Sequence, residues 1–234
     1  MRQYALNIAR ALSMIVLCLA STTTSASIVI SGTRVIYPSN VKEVTVKIKN
    51  VGSSPVLLQS WIDDGVTNAK PENIVVPFIL TPPINRVEAG KGQTLRLSYT
   101  GTPLATNKES IFWLNVLEIP PKVAAKAGEN YLQMAFRSRI KLFFRPEGLV
   151  GNANDAGNLL IWKATQGGIT ANNPTPYYVS LTTVTANGKE VEGQMVAPGE
   201  SQKFILPNAS AGSKIKFGYV NDYGAVNNTE SVAH

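Results

Sequence analysis

Tyr131 to Pro146 reads YLQMAFRSRIKLFFRP. By parity it divides into two rows. Leu132, Met134, Phe136, Ile140, Leu142 and Phe144 form one, broken only by Ser138. Tyr131, Gln133, Ala135, Arg137, Arg139, Lys141, Phe143 and Arg145 form the other. A period of two is the side-chain repeat of a strand. The run is far longer than the usual strand of about five to six residues. One face carries apolar bulk and the other a row of cations.

The segments around it also read as strands. SIVISGTRVIYP (27–38) reads as the first, followed by VKEVTVKIKNVG (41–52), PVLLQSWIDDG (55–65), TLRLSY (94–99) and SIFWLNVLEIPP (110–121). Gly, Pro and Asn punctuate the intervals, as in antiparallel sandwiches. The pattern pauses at RPEGLVGNANDAGN (145–158), which reads as a domain boundary. LLIWKAT (159–165), YYVSLTTVTANG (177–188), KFILP (203–207) and SKIKFGYVNDYG (213–224) form a second set. The expected architecture is all-β, with one sandwich over 27–147 and another over 148–234. No helix with capping signals is expected after residue 26. Only KVAAKAGEN (122–130) has helix-favouring composition. Trp61, Trp113 and Trp162 read as one core residue per strand rather than as an aromatic patch.

The first 26 residues read as a cleavable signal peptide. Arg2 and Arg10 bracket a polar start, Ala11 to Ala20 is a short apolar run, and STTTSAS follows. The run is too short for a permanent membrane anchor. Cleavage is expected after Ala26. Cys18 does not read as a lipidation site, because Leu17 is too large for the small residue expected before it. Removal of residues 1–26 takes away the only cysteine, so the exported chain holds together without a disulfide. The net charge of +7 could signal an anionic partner, but the cations are scattered along strands with no basic run. No nucleic-acid partner is expected.

Catalytic chemistry finds few residues to work with. The single histidine is His234, so neither a Ser–His–Asp triad nor a Cys–His pair can be assembled. A zinc or copper site lacks ligands for the same reason. SRIK (138–141) fits an S-x-x-K pattern, but that chemistry needs a helical turn, and on a strand positions i and i+3 face opposite ways. GKGQT (90–94) lacks the spacing of a phosphate loop. Asp63 and Asp64 read as an acidic turn before Gly65 rather than a cation site. The expectation is a binding protein with no cofactor and no small-molecule substrate.

Five stretches in order resemble one family. TRVIYP (33–38), KESIFWLNVLEIPP (108–121), RIKLFFRP (139–146), NPTPYYVSL (173–181) and NDYGA (221–225) together resemble the periplasmic pilus-assembly chaperones of the chaperone–usher pathway. That family is an established example of the sandwich architecture and of strand donation. The resemblance implies two immunoglobulin-like domains in an L or boomerang, with a cleft between them. It implies pilin or fimbrial subunits as partners, stabilised by donor-strand complementation and delivered to an outer-membrane usher. It places the protein in the periplasm of a Gram-negative bacterium. The short connection from Ile119 to Tyr131 and the absence of cysteine beyond Cys18 resemble the family's short-loop branch.

Residue by residue, the resemblance puts the anchor for the subunit's terminal carboxylate on Arg34 and Lys141. An Arg and a Lys suit a compact anion through charge-assisted hydrogen bonds. The residues alone also fit two solvated strand cations. The lending strand falls on Leu132, Met134 and Phe136, with Ile140 further along. Periodicity alone allows these to face the protein's own core instead. Glu109, Arg145 and Asp222 match an interdomain ion network. Pro82 and Pro83 resemble a loop implicated in usher contact. Arg137 and Arg139 read as surface charges. The alternative is another exported two-domain β-sandwich binder, adhesin-like or carbohydrate-binding.

Overall fold

The computed structural model describes residues 27–122 and 132–234. The expected signal peptide, the helix-favouring stretch from 123 to 130 and Tyr131 lie outside the described residues. Among the described residues, the first sandwich uses nine strands: β1 Ile28–Ile30, β2 Arg34–Pro38, β3 Val44–Asn50, β4 Val56–Asp63, β5 Phe78–Thr81, β6 Ile84–Val87, β7 Gly92–Tyr99, β8 Ser110–Ile119 and β9 Phe136–Arg145. They form a sheet ordered β1-β3-β7-β5 and a facing sheet ordered β2-β9-β8-β4-β6. The inward residues of both sheets make one core around Tyr37, Ile48, Leu58, Leu95, Leu97, Leu114 and Leu142. Burying each such side chain contributes about 1.5–3 kcal/mol, and period-two alternation delivers them all to one face.

Residues 27–38 are two strands, not one. β1 pairs with β3 in one sheet and β2 pairs with β9 in the other. The chain changes sheets at Gly32, whose φ of 93° suits a residue without a Cβ. Tyr37 ties the sheets together. Its hydroxyl donates to the Lys42 carbonyl at 2.9 Å and accepts the Tyr99 N–H at 2.9 Å.

The second sandwich uses eight strands: β10 Ile161–Thr165, β11 Gly168–Asn172, β12 Val179–Ala186, β13 Lys189–Glu192, β14 Met195–Val196, β15 Ser201–Phe204, β16 Lys214–Val220 and β17 Val226–Val232. One sheet is ordered β10-β11-β15 and the other β13-β12-β16-β17, with β14 also on β12. Their separate core includes Trp162, Ile169, Leu206 and Ile215. Two short 3-10 helices, Pro71–Asn73 and Ala153–Leu159, depart from the all-strand expectation. The second overlaps the end of the expected boundary stretch, reaching Leu159 beyond it, and is capped by Asn152, whose side chain accepts the Asn154 N–H.

β9 is ten residues long and begins at Phe136. The period-two reading overran it: Leu132 and Met134 precede the strand. β8 pairs with Phe136 through Phe144, whereas β2 pairs only with Lys141 through Arg145. Among the described residues, Phe136 to Ile140 are therefore bonded along one edge only.

Candidate functional site

The β2–β9 ladder is parallel, and its first rung is Arg34 opposite Lys141. The rung continues across the sheet: Lys141 pairs with Trp113 on β8, and Trp113 with Asp63 on β4. These four residues share the face turned away from the core. The second sandwich covers part of that face. Tyr178 packs on Phe143 with ring centres 5.8 Å apart, and Arg34 lies 5.7 Å over the Phe143 ring.

Both cations are held by neutral groups of the second sandwich. Arg34 Nη1 donates to the Val220 carbonyl at 2.9 Å, and Lys141 Nζ donates to Ser180 Oγ at 2.9 Å. The buried Nε of Arg34 has no acceptor. Among the described residues, neither cation has a carboxylate within ion-pair distance. Burial pulls both below their ordinary pKa values. For Arg34 the Asp222 and Glu109 charges oppose it; for Lys141 the Arg34 charge adds to it. Two partly buried cations without an anion form an electrostatically incomplete site.

Four rungs further along the same ladder, Arg145 joins both sandwiches. Its Nε donates to Glu109 Oε1 at 2.7 Å, and its two Nη atoms grip Asp222 at 2.7 and 2.8 Å. Glu109 Oε2 accepts the Tyr178 N–H at 2.8 Å, and the Glu109 N–H donates to the Pro176 carbonyl at 2.9 Å. Burial works against the Arg145 charge, but Asp222 and Glu109 together hold it well above its ordinary value. Burial pushes the Glu109 carboxyl up, and the Arg145 charge and the Tyr178 N–H only partly offset this. The Asp222 turn also approaches closely. A Cβ on Gly224, whose φ is +84°, would sit 2.6 Å from Thr33 Oγ1. The structure thus brings Glu109, Arg145 and Asp222 together at the domain junction, four rungs along the β2–β9 ladder from Arg34 and Lys141.

The apolar row divides at β2. Leu132, Met134 and Phe136 are 82%, 55% and 61% exposed. Ile140 does not belong with them. It is partly buried and packs on the first core, although β2 pairs with β9 only from Lys141. Arg139 is not a surface charge. It reaches across β8, stacks 4.5 Å over Trp113 and binds buried Asp63 through Nη2 at 2.6 Å. Asp63 also accepts from Asn115 Nδ2 at 2.7 Å and from the Gly65 N–H at 2.8 Å. Burial alone would raise its pKa; these donors hold it lowered. Asp63 is thus more than a turn residue, while Asp64 is exposed. Arg137 stays exposed, 6.0 Å over Trp61 and bonded to the Thr67 carbonyl at 2.9 Å. Trp61 and Trp113 therefore lie on the outer face; Trp162 alone of the three is fully buried. The sequence signal for the Asp63 contact was slight, since its partners lie 52 and 76 residues away. Pro82 and Pro83 fall between β5 and β6, with Pro83 exposed beside Ile84, which is also exposed.

The profile described as "Pili and flagellar-assembly chaperone, PapD N-terminal domain" matches residues 27–150, and "Pili assembly chaperone PapD, C-terminal domain" matches 155–231. The chain belongs to the PapD family of pilus-assembly chaperones. "Probable fimbrial chaperone YadV" of Escherichia coli K12 is 47% identical over 224 residues, covering 89% of this chain and 91% of its own. The Pseudomonas aeruginosa CupB2 chaperone superposes with a TM-score of 0.77 at 38% identity, over 88% of this chain and 100% of its own. The SafB chaperone of Salmonella enterica, solved in complex with the SafA pilin, gives a TM-score of 0.78 at 28% identity, over 90% and 98%. The PapD family consists of chaperones rather than enzymes, and this chain has its two-domain β-sandwich fold.

Proposed function

We propose that this protein is a periplasmic chaperone that lends a strand to pilin subunits and anchors their terminal carboxylate on Arg34 and Lys141. The observation that carries the reading is the half-occupied edge of β9. β2 runs parallel to β9 and begins at the Arg34–Lys141 rung. A client strand added to the open edge of Phe136 to Ile140 would lie in line with β2. If it runs parallel to β9, its last residue arrives at Arg34 and Lys141. Its carboxylate would then meet two cations that lack an anion. Leu132, Met134 and Phe136, exposed at alternate positions, would fill the core of an incomplete client sandwich, and the edge hydrogen bonds would add the main-chain contribution. That SafB is solved in complex with a pilin is consistent with this reading.

In the same reading, residues 1–26 are removed on export, 27–147 form the lending domain and 148–234 the second domain. The Glu109–Arg145–Asp222 contacts fix the two domains so that the cations are preorganised. The connection before β9 belongs to the short-loop branch. The loaded protein hands its client to an outer-membrane usher, and Pro82 and Pro83 contribute to that contact. The test is co-expression with a pilin subunit from the same gene cluster. The expected result is a soluble 1:1 complex, lost in Arg34→Ala and Lys141→Ala proteins with unchanged circular dichroism. Pilin retained equally by both variants overturns the anchor.

A further inference from the structure

Side chains repeat every second residue along β9, and so do its cations. Arg137, Arg139 and Lys141 occupy successive outward positions, while Leu132, Met134 and Phe136 occupy successive positions of the opposite row. A client that slips by one residue turns its apolar groups the wrong way and is rejected by parity. A slip of two residues, about 6.6 Å along a strand, keeps the parity and brings the carboxylate to Arg139 instead of Lys141. The donor row alone does not exclude this register.

The outer face supplies the missing discrimination. Arg139 sits opposite Asn115, two rungs from the row Arg34–Lys141–Trp113–Asp63 and on the same face. Its side chain crosses Trp113 and is gripped by Asp63 through two nitrogens, at 2.6 and 3.3 Å. β4 lies beyond β8, on the side of β9 away from the open edge. The contact therefore draws the guanidinium away from the place where a client strand would lie, and neutralises it. Arg137 is turned to the Thr67 carbonyl and Trp61 on the same side. Among the described residues, Lys141, with Arg34 beside it, is left without a carboxylate partner.

Resting on the reading above, we infer that Asp63 is a register-determining residue: by sequestering Arg139 it leaves one position on β9 where a client's terminal carboxylate can be anchored. It acts through Arg139 and touches no client atom.

The exported chain has no cysteine, so Ser138→Cys, on the exposed part of β9, gives a unique cross-linking position. The probes are synthetic peptides of alternating apolar residues with a free C-terminal carboxylate. Each carries one cysteine at a different distance from that end, and amidated versions serve as controls. Without Asp63→Asn, disulfide capture should favour one peptide position and should fail with the amide. In Asp63→Asn a second product should appear, with the peptide cysteine two positions nearer the C-terminus. Its yield should rise about tenfold or more, since each tenfold in register preference is a small energetic difference. Arg139→Met added to Asp63→Asn should remove that product, which a merely structural role for Asp63 would not predict. In Lys141→Ala with Asp63 intact, capture should be lost rather than shifted. This arm decides the matter if Asp63→Asn does not fold. A shifted product in Lys141→Ala, or an unshifted single product in folded Asp63→Asn, overturns the inference. Equal capture of amide and acid peptides by the Ser138→Cys protein overturns the carboxylate anchor itself.

Discussion

Arg34 and Lys141 are register partners at the first rung of a parallel ladder, each bonded to a neutral oxygen of the second sandwich. The ladder fixes their backbones and the second sandwich holds their side chains, so the pair is in place before any client arrives. On the proposed reading, a client carboxylate would meet formed geometry there and gain charge-assisted hydrogen bonds.

Removing either cation should weaken client binding far more than it affects folding. Truncating one partner of a hydrogen-bonded charge pair typically costs about 2–5 kcal/mol, or about 30-fold upwards in Kd. Titration of a pilin-derived peptide into Arg34→Ala and Lys141→Ala, beside thermal melts, checks this. Arg34→Lys should recover only part of the affinity, because an ammonium cannot grip two oxygens.

Leu132→Ser, Met134→Ser and Phe136→Ser should leave the free protein's melting temperature nearly unchanged, since exposed positions usually shift stability by about 0.5 kcal/mol or less. Each should weaken client capture by roughly the burial value of its side chain, about 1.5–3 kcal/mol. Ile140→Ser should behave in the opposite way and lower the melt, because Ile140 packs on the first core.

Arg145→Ala should be the most damaging change at the domain junction. It leaves Glu109 buried with only the Tyr178 N–H, and breaking a buried pair on one side costs about 3–5 kcal/mol. Calorimetry should show unfolding that is broader, or split into two transitions, compared with the unsubstituted protein, as the domains uncouple. Glu109→Gln, which keeps the shape, should cost less.

Acid should act through Asp63. Its folded pKa is lowered, so its contribution is fully present above the unfolded aspartate value of about 3.9 and is lost as pH falls through the lower folded value. Urea melts across that window should show an acid limb that is shallower in Asp63→Asn.

Alkali should act through Lys141. Burial lowers its pKa, and a bound carboxylate would favour the charged form and raise it again. Client binding should therefore take up protons at alkaline pH and weaken as pH rises through the free protein's Lys141 value. Titration calorimetry in two buffers of different ionisation enthalpy measures the uptake, which should vanish in Lys141→Ala.

Local pattern carried the strand reading and the two sets of strands, because alternation and turn residues are local signals. It failed where a neighbour distant in sequence decides. Phe136 and Ile140 share parity and chemistry, yet one is exposed and the other packs on the first core, because residues distant in sequence set where along β9 that core begins. Arg139 resembles Arg137 in every local respect, and only Asp63, 76 residues earlier, distinguishes it. The split of 27–38 depends on which strands β1 and β2 pair with, which their own residues do not encode. Arg34, Lys141 and the Glu109–Arg145–Asp222 trio were found through motif resemblance, since their spacing alone has no chemical signature.

The β2 strand starts where the open edge of β9 stops. On the proposed reading, a docked polypeptide has nowhere to continue, because Arg34 and the first residues of β2 stand in its path. A polypeptide still emerging from the ribosome or translocation pore has no free carboxylate to offer there. Neither does one bearing an affinity tag behind its last strand. The protein would therefore engage only completed molecules, so its engagement would certify that synthesis and export have ended before assembly begins.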